Sequence, residues 1–427
     1  MLITYAETLE YLYKSLPMFQ RIGAAAYKAD LVNTTALCAA LGDPHRKFKS
    51  VHVAGTNGKG SSSHMIAAIL QSGGYKTGLY TSPHLKEFTE RIRINGAEVD
   101  QQFVVDFVNK LQLVIENMHP SFFEMNVAMA FDYFASRQVD IAVIEVGLGG
   151  RLDSTNVISP EVSLITNISF DHKDLLGETL PKIAFEKAGI IKRHTPVVIS
   201  ERQSEVEKVF NEVATSRDAE LTFADEVISV QRGISGYNVF KKGELWLENI
   251  VPELKGEYQQ KNIPGVLATV LKLRSLGFTI PDQAVRCGIE QVTKLTGLKG
   301  RWQVISNAPL TICDTGHNQA GIAEVLKQIG KTPHRHLHFV FGVVKDKDVT
   351  DILKMLPKDA SYYFCAAKIP RAMDAITLKE LAASEGLMGQ AFDDVNDAVR
   401  AAHGDAAADD MVFIGGSTFV VAEVDGL

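Results

Sequence analysis

The segment VHVAGTNGKGSSSH, residues 51–64, places a lysine between two glycines just before a run of serines. Glycines let a backbone close around phosphate oxygens, and a lysine can reach the outer phosphates of a nucleotide. The standard phosphate loop has four residues between its first two glycines, whereas only two separate Gly55 from Gly58 here. A plain strand-to-helix turn would explain Gly55 and a helix cap at Ser61, but it would not explain the lysine. The segment therefore predicts a nucleotide phosphate site made by Gly55, Thr56, Asn57, Gly58, Lys59, Gly60 and Ser61.

Such a site needs an acidic residue, and often a hydroxyl group, to hold Mg²⁺. Glu145 ends the apolar run DIAVIE, and open α/β sheets bind ligands at the carboxyl ends of their strands. Ser82 in TSPHL supplies a hydroxyl after another such run, although a serine before proline is usually only part of a turn. His172 in SFDHKDLLG also follows a strand pattern, and a lone histidine is more often structural than a ligand. The nearby GLGG, followed by Arg-Leu-Asp, does not fit a dinucleotide fingerprint.

Lys187 lies on the apolar face of a predicted helix in TLPKIAFEKAGI. Leu180, Ile183, Ala184 and Lys187 fall at positions i, i+3, i+4 and i+7 of one helical face. A lysine there must extend its ammonium to water, pair with an acid, or be chemically modified. It is equally typical of the last turn of a helix closed by Gly189, where a cation is favoured. The pattern leaves both interpretations open.

Apolar runs typical of buried parallel strands alternate with helical patterns through most of the chain. This alternation predicts a doubly wound α/β sheet. Residues 221–251 instead show short alternating segments that predict a small antiparallel addition. The pattern stops at TKLTGLKGR, residues 293–301, and then restarts as a second α/β domain, which predicts domains at 1–296 and 297–427. The predicted strands are KSVHVAG, KTGLYTS, DIAVIEVG, VSLITNIS and TPVVIS in the first domain, and PLTICDTG, HLHFVFGVV, SYYFCAA and MVFIGG in the second.

The composition of the 427-residue chain, 46% apolar and 22% charged, is that of an ordinary globular protein. A net charge of -7 argues against a broad nucleic-acid surface. The four cysteines are scattered without metal-ligand or redox spacing, as expected of reduced thiols in the cytoplasm. The first residues, MLITYAETLEYLYKSL, predict an amphipathic helix and not a signal peptide. No apolar stretch approaches the roughly 20 residues that cross a bilayer, so we expect a soluble cytoplasmic protein with no membrane or nucleic-acid partner.

The chain resembles the folylpolyglutamate synthase/dihydrofolate synthase family of the Mur ligase superfamily in a series of motifs that run in order from about residue 50 to residue 348. The shortened phosphate loop is this family's own form. The motifs are GTNGKGS, YTSPHL, FTERIRING, IEVGLGGRLDSTN, DHKDLLG, EKAGI, G-x-x-Q-x-x-N at Gly256, Gln259 and Asn262, GRWQ, and DTGHN. The resemblance implies an α/β fold, with a Mur-ligase-type ATPase domain on a mostly parallel sheet and a smaller Rossmann-like glutamate ligase domain.

The resemblance also implies a role for each matched residue. The loop Gly55–Ser61 would hold the phosphates of ATP, Ser82 and Glu145 would bind one Mg²⁺, and His172 would bind a second. Lys187 matches the family's carbamylated lysine, which gives a chemical reason for a lysine on an apolar face. Asn262, Arg301 and Asp314 would complete the nucleotide site, the last two reaching in from the second domain. His317 and residues 345–348 (KDKD) would line the facing strand ends, although KDKD is equally typical of a solvated helix start.

On the acceptor side, SFFEMN at residues 121–126 resembles the family's pterin-binding segment. Phe122 or Phe123 would stack on the pterin and Glu124 would hydrogen-bond to it, although paired phenylalanines before a helix are more often core. Residues 28–30 (KAD) match the family's further dihydropteroate contacts only weakly. DTGHNQ departs from the commoner DGAHNP, yet Asp314, His317 and Asn318 remain.

The activity implied is ATP-dependent ligation of L-glutamate to a folate, and to dihydropteroate, through an acyl phosphate. Positioning and charge neutralisation would carry that chemistry, with Lys59, His172 and Arg301 among the groups that fit. The presence of SFFEMN favours a bifunctional enzyme, and the family is commonly monomeric. One alternative is a Mur-type ligase acting on a UDP-muramyl precursor; such ligases usually have about 80 to 100 residues before the phosphate loop, whereas about 50 precede it in this sequence, which disfavours that alternative. A switch or motor ATPase is a second alternative, and it gives TSPHL and DTGHN no role; a non-catalytic nucleotide-binding module is a third.

Overall fold

The short apolar runs of the sequence form the strands of two mostly parallel sheets. The computed structural model describes residues 2–23, 28–345 and 349–427. This part of the chain divides into two compact units. The first runs to Leu298 apart from two short segments, and the second comprises Lys299–Leu427 together with those segments, Gln20–Gly23 and Leu254–Tyr258.

In the described part of the chain, the first unit is built on a sheet of eight strands in the order β4-β3-β2-β5-β1-β6-β7-β8. The strands from β2 to β8 in this order pair in parallel, whereas β2–β3 and β3–β4 are antiparallel. β1, β5 and β6 are buried almost throughout, as expected of parallel strands covered on both faces. The strands are β1 Lys49–Ala54, β2 Thr77–Tyr80, β3 Ile92–Ile94, β4 Ala97–Glu98, β5 Ile141–Glu145, β6 Val162–Ile165, β7 Val197–Ile199 and β8 Leu221–Phe223.

The register of this sheet brings together the strand ends that carry the predicted site. Val53 of β1 lies beside Glu145 of β5, and Ala54 lies beside Ile165 of β6. On the far side of β5, Tyr80 of β2 pairs with Ile144. The carboxyl ends of β2, β5, β1 and β6 therefore lie next to one another at one edge of the sheet.

The helices of the first unit connect these strands. Helix α4 directly follows the phosphate loop, and its residues from Ser61 to Leu70 are all buried. The N-terminal helix α1 has a capping box formed by Thr4 and Glu7, which fixes its start. The helices of this stretch of the chain are α1 Tyr5–Ser15, α2 Phe19–Ile22, α3 Val32–Ala40, α4 Lys59–Ser72, α5 Gln101–Met118, α6 Phe122–Ser136, α7 Lys173–Leu176, α8 Leu180–Ala188, α9 Ser204–Ser216, α10 Gln259–Ser275, α11 Asp282–Glu290 and α12 Val292–Thr296, of which α2 lies mostly in the short segment Gln20–Gly23 of the second unit.

The expected antiparallel addition is present, but it begins later than predicted. Within the described residues, β9 Ile228–Arg232, β10 Tyr237–Lys241 and β11 Glu244–Ile250 form a three-stranded antiparallel sheet. Leu221–Phe223, assigned to this addition from the sequence, instead joins the main sheet as β8, parallel to β7. Helix α9 provides the crossover that a parallel pair requires.

The second unit contains, among the described residues, a six-stranded sheet in the order β12-β13-β17-β14-β15-β16. Only the β12–β13 pair is antiparallel among these strands. The mostly parallel sheet of the first unit and the separate C-terminal α/β unit confirm the predicted fold class. The elements are β12 Gln303–Asn307, β13 Leu310–Cys313, α13 Gln319–Ile329, β14 Leu337–Phe341, α14 Thr350–Met355, β15 Ser361–Cys365, α15 Ala375–Ser384, β16 Gly389–Phe392, α16 Val395–Asp405, β17 Met411–Gly415 and α17 Thr418–Glu423.

The segment Leu254–Tyr258 belongs to the second unit although α10 follows it directly in the first. The side chain of Gln328 in α13 holds this segment at two points. It accepts a hydrogen bond from the Glu257 backbone N–H (2.8 Å) and donates one to the Lys255 carbonyl (3.1 Å). Across the described residues, no helix combines the length and the apolar character needed to cross a membrane.

Candidate active site

Two glycines of the phosphate loop are required by both conformation and space. Gly55 has φ +143°, and a Cβ there would lie 1.8 Å from Oγ1 of Thr166. Gly58 has φ +84°, and a Cβ there would lie 2.2 Å from Oδ1 of Asn262. Residues that carry a side chain rarely adopt such φ values. Each glycine thus allows a neighbouring polar side chain to approach the loop backbone directly.

Residues that follow β6 hold the phosphate loop in place. The backbone N–H of Thr56 donates to the Asn167 carbonyl, and that of Asn57 donates to Asn167 Oδ1, both at 2.9 Å. Thr166 Oγ1 donates to the Asn57 carbonyl at 2.6 Å, and Asn57 Nδ2 donates to Ser169 Oγ at 3.2 Å. Sequence reasoning missed Thr166, Asn167 and Ser169. The available signal was the three polar residues of TNIS, residues 166–169, at the carboxyl end of a buried strand.

Two lysines converge on the same carbonyl of the loop. The Nζ atoms of Lys59 and Lys187 both donate to the Gly55 carbonyl at 3.0 Å, and Lys59 also reaches the Thr56 carbonyl at 3.0 Å. The Lys59 ammonium, and that of Lys187 when its amine is protonated, raise the positive potential where phosphate oxygens would lie. The arrangement suits the binding of a polyphosphate.

Lys187 is buried near the end of α8, with 4% of its surface exposed. Burial and, after it, the neighbouring charge of Lys59 lower the pKa of its amine to about 7, although Asp171 and Asp153 oppose the shift. Of the interpretations left open by the sequence, exposure of the ammonium to water is excluded. Near neutral pH a substantial fraction of this amine is uncharged, and an uncharged amine is a nucleophile.

Ser82 and Glu145 lie together at adjacent strand ends. Glu145 is 5% exposed, and its Oε2 accepts a hydrogen bond from the Ser82 backbone N–H at 3.3 Å. The described residues contain no group of three or more His, Cys, Asp or Glu side chains placed to hold a metal ion. Mg²⁺ usually takes only one or two protein carboxylates and completes its shell with phosphate oxygens and water. The Ser82–Glu145 pair beside the phosphate loop fits that kind of site.

His172 lies past the end of β6, on the opposite side of β1 from Glu145. It precedes the short helix α7 with φ +49°, and its ring meets that of Phe19 edge to face at 5.6 Å. Its Nε2 lies 3.8 Å from Oδ1 of Asp171. The sheet topology thus places Glu145 at the end of one strand that flanks the phosphate-loop strand, and His172 in the segment that follows the other.

Helix α10 contacts the start of α4 through two amides. Gln259 Nε2 donates to Ser61 Oγ at 3.1 Å, and Asn262 Nδ2 donates to Gln259 Oε1 at 2.8 Å. Together with the contact at Gly58, these bonds place Asn262 at the phosphate loop. Gln259 belongs to the G-x-x-Q-x-x-N motif, but sequence reasoning gave it no role of its own.

The predicted acceptor segment begins α6. Ser121 caps this helix, and Phe122, 3% exposed, packs against Tyr13 and Phe88 with ring centroids 5.6 and 6.0 Å away. Little of the Phe122 ring is therefore available to a ligand. Phe123 is only partly buried and lies against Gly147, where a Cβ would meet its ring at 2.4 Å.

Glu124 is 2% exposed and links the acceptor segment to the start of the chain. Its Oε2 accepts from the Ser121 backbone N–H (2.6 Å) and from Asn33 Nδ2 (3.3 Å), and it lies 3.9 Å from Lys28 Nζ. Its Oε1 is buried and has no hydrogen-bond partner among the described residues. Residues 28–30 and the SFFE segment, matched separately from the sequence, are thus brought together through Lys28.

In the second unit, Asp314 organises the loop that carries the remaining predicted residues. It is 4% exposed, and its Oδ2 accepts from the hydroxyl of Tyr258 (2.6 Å) and the Trp302 backbone N–H (2.7 Å). Burial raises the pKa of its carboxyl, and the Tyr258 hydrogen bond opposes this. Sequence reasoning missed Tyr258, whose partner is 56 positions away.

Arg301 and His317 meet at the same loop. The Arg301 guanidinium donates to Thr315 Oγ1, and His317 Nδ1 lies 3.0 Å from the Thr315 carbonyl. Lys345 is exposed. The rest of the KDKD segment, residues 346–348, lies outside the described residues.

Comparison with known proteins identifies the family. Residues 53–270 match the Mur ligase middle domain, and residues 300–418 match the Mur ligase, glutamate ligase domain. The chain is 33% identical over 417 residues to the dihydrofolate synthase/folylpolyglutamate synthase of Bacillus subtilis, which covers 93% of this chain and 94% of that protein.

Two solved structures of similar proteins extend this comparison. The structure of Escherichia coli FolC in complex with DHPP and ADP matches with a TM-score of 0.87 at 29% identity, covering 98% of this chain and 96% of that one. A bifunctional folylpolyglutamate synthase/dihydrofolate synthase with Mn, AMPPNP and L-glutamate bound matches with a TM-score of 0.85 at 29% identity, covering 98% and 97%. These matches favour neither another Mur-type ligase nor a switch ATPase. The chain belongs to the dihydrofolate synthase/folylpolyglutamate synthase family of Mur ligases, which are ATP-dependent ligases.

Proposed function

We propose that this protein joins L-glutamate to reduced folates and to 7,8-dihydropteroate with hydrolysis of ATP to ADP and phosphate. The acceptor carboxylate attacks the γ-phosphorus, and ADP leaves as the acyl phosphate forms. The amine of glutamate then attacks the acyl carbon, and the tetrahedral adduct loses phosphate and a proton to give the amide. The convergence of Lys59 and Lys187 beside the Ser82–Glu145 pair is the observation that carries this proposal.

Positioning and charge neutralisation are what these steps require of the protein. Lys59 would neutralise charge on the transferred phosphoryl group, and the backbone N–H groups of the loop 55–61 would bind phosphate oxygens. Ser82 and Glu145 would hold one Mg²⁺ and His172 a second. Bound Mg²⁺ would neutralise part of the negative charge on the phosphates. The contacts to the nucleotide and to glutamate would be completed by Asn262, Arg301, Asp314 and His317. We further propose that the protein has two domains, residues 1–296 and 297–427.

Lys187 would act as its carbamate. An uncharged amine attacks CO₂, forming an N–C bond and releasing a proton, and the product is a carboxylate. The lowered pKa of Lys187 supports this, because it supplies the uncharged amine near neutral pH. The carbamate would also pair with the ammonium of Lys59, which replaces repulsion between two cations with attraction.

The acceptor would bind at the start of α6. Glu124 Oε1, buried without a partner among the described residues, supports this assignment because a pterin ring carries amino and ring N–H donors. Phe123 would offer its ring face, whereas Phe122 would serve mainly to support it. We also propose that the protein acts as a monomer in the cytoplasm.

The test is ATP- and Mg²⁺-dependent incorporation of labelled L-glutamate, measured in parallel with 7,8-dihydropteroate and with a reduced folate. Product with both acceptors is expected, together with loss of both products in K59A. Product with the folate alone would restrict the enzyme to polyglutamate synthesis. Steady ATP hydrolysis without incorporation into either acceptor would contradict the proposal.

A further inference from the structure

We propose that Arg91 is a positioning residue that holds the loop carrying Ser82 through a hydrogen bond to His84. The inference rests on the proposed function, in which Ser82 is a metal ligand. A hydroxyl ligand contributes only when its oxygen is held at the bonding distance of the ion, and residues outside the coordination shell commonly provide that control.

Arg91 holds both ends of the turn in which Ser82 lies. Its Nε donates to Nδ1 of His84 at 2.8 Å, and its backbone carbonyl accepts from the Thr81 N–H at 3.0 Å. Ser82 lies between these two points and is itself fixed to Glu145 through its N–H. Three hydrogen bonds thus restrain four consecutive residues.

The burial of Arg91 is not explained by an ion pair. The side chain lies against Phe122, with its guanidinium carbon 5.3 Å from the ring centroid, and the residue is 3% exposed. Among the described residues, no Asp or Glu lies within ion-pair distance of this guanidinium. Burying a guanidinium without a carboxylate is costly. This buried guanidinium makes a side-chain hydrogen bond, the one from Nε to His84.

Arg93, two residues further on, shows the ordinary arrangement. It is 7% exposed, pairs with Glu98 at 3.0 Å and donates to the Gly96 carbonyl at 3.1 Å. Its contacts stabilise the β3–β4 turn and do not involve residues 81–85. Arg93 is consequently a matched control for the loss of a buried arginine.

Glu90 restrains the following part of the same loop. Its carboxylate accepts from the backbone N–H groups of Leu85 (2.7 Å), Lys86 (3.1 Å) and Glu87 (3.1 Å). Residues 90 and 91 thus hold several of residues 81–87, Thr81 through the Arg91 backbone carbonyl and residues 84–87 through the two side chains. Of these two residues, it is Arg91 that acts on the half of the loop that contains Ser82.

The test measures metal binding directly, with Mn²⁺ as the probe and AMPPNP as the nucleotide, by electron paramagnetic resonance. The variants are S82A as the reference for loss of the ligand, R91M and H84L for loss of the hydrogen bond, and R93M as the control. H84N keeps an acceptor near the position of Nδ1 and should rescue binding. We expect R91M and H84L to weaken Mn²⁺ binding about tenfold, in the range typical of residues that support a ligand.

Three outcomes separate the inference from the function on which it rests. Weaker Mn²⁺ binding in S82A, R91M and H84L, with R93M and H84N close to the unmodified protein, supports it. Weaker binding in S82A alone, or equal weakening in R93M, overturns the inference and leaves Ser82 as a ligand. Unchanged binding in S82A removes the proposed metal role of Ser82, and the inference with it. H84L keeps the test valid if R91M does not fold.

Discussion

Lys187 is buried, lies close to the second cation Lys59, and carries an amine that can act as a nucleophile. Its pKa of about 7 means that protonation competes with carbamate formation near physiological pH. As pH falls below this value the amine becomes an ammonium, which cannot attack CO₂. The acid side of the activity profile should therefore depend on dissolved CO₂.

The first prediction is that removal of CO₂ lowers activity most at pH values below about 7, where the amine is largely protonated, and that added bicarbonate restores it. Glutamate ligation would be measured against pH with and without bicarbonate, and intact mass would report the added CO₂. K187A should be inactive under both conditions and partly rescued by acetate. Equal activity in CO₂-free buffer, with an unmodified mass, would rule out the carbamate.

The second prediction compares two glycines that share a backbone conformation. Gly58 has φ +84° and Gly74 has φ +89°, but a Cβ at Gly74 would meet no atom of the described chain within 4 Å. Alanine at either site should cost about 1–3 kcal/mol of stability through backbone strain. Only G58A should also displace Asn262, and so weaken ADP binding about tenfold or more, which is about 1.4 kcal/mol. Calorimetric titration with ADP measures this, and equal affinity in the two variants would refute it.

Individual site residues could be predicted from the sequence where they lie within one short motif, but not where their partners are far away in the chain. Gly55, Gly58 and Lys59 lie within one short motif, so their convergence could be predicted. Tyr258 carries no recognisable pattern, and its partner Asp314 belongs to a distant strand end. Lys187 stayed ambiguous, because helical periodicity does not distinguish burial from a favourable position at a helix terminus.

At the scale of elements, the site is made by consecutive strand ends of a parallel sheet. The rule that ligands bind at the carboxyl ends of strands predicted a site at Glu145 and Ser82, on β5 and after β2. The same rule applied to β6 would have found Asn167 and Ser169, whose side chains hold the phosphate loop. They were missed because short polar residues after a strand are also what an ordinary turn contains.

The third prediction concerns this clamp after β6. In N167A the Asn57 N–H loses its acceptor, which costs about 1–3 kcal/mol for a desolvated donor, and nucleotide affinity should fall about tenfold. Asn109 offers a control, because its amide makes two hydrogen bonds to the Leu2 backbone at 2.8 and 2.7 Å, remote from the loop. N109A should affect thermal stability alone. Comparable losses of ADP affinity in both variants would argue against a specific clamp.

The element boundaries show where the antiparallel assignment failed. Leu221–Phe223 is too short to show a period, and its place in the main sheet depends on β7 and on the crossover α9. Strand pairing between elements is a property of tertiary structure. The sequence could therefore predict that a parallel and an antiparallel sheet both occur, but not that Leu221–Phe223 is the last strand of the parallel one.

At the scale of the whole molecule, the second unit has a buried ionic network at the start of its strands. Asp410, 2% exposed, accepts from Arg335 at 2.9 and 3.0 Å and lies 3.3 Å from Nε2 of His338. The Arg335 hydrogen bonds hold the pKa of its carboxyl below the ordinary value of 3.8. A carboxyl of this kind stabilises the fold above its unfolded pKa, and that stabilisation is lost as pH falls through the folded value.

The fourth prediction follows from this network. D410N should lower the unfolding temperature at pH 7, and the difference from the unmodified protein should shrink in acid, where both carry an uncharged side chain. Asp409 is a control, because it also lies near Arg335, at 3.3 Å, but its side chain is 69% exposed. D409N should change little, as expected for a surface pair. Thermal unfolding measured from pH 7 into the acid range tests this, and similar curves for both variants would contradict it.

The segment Leu254–Tyr258 limits how relatives of this enzyme can recombine. The chain enters the second unit for five residues before α10, and the Gln328 side chain and the Asp314 carboxylate take their partners from those residues. A chimera joined once at the main boundary would pair one parent's Gln328 and Asp314 with the other parent's insert. Exchange of residues 299–427 between homologues should therefore succeed best when this short upstream segment is transferred with them.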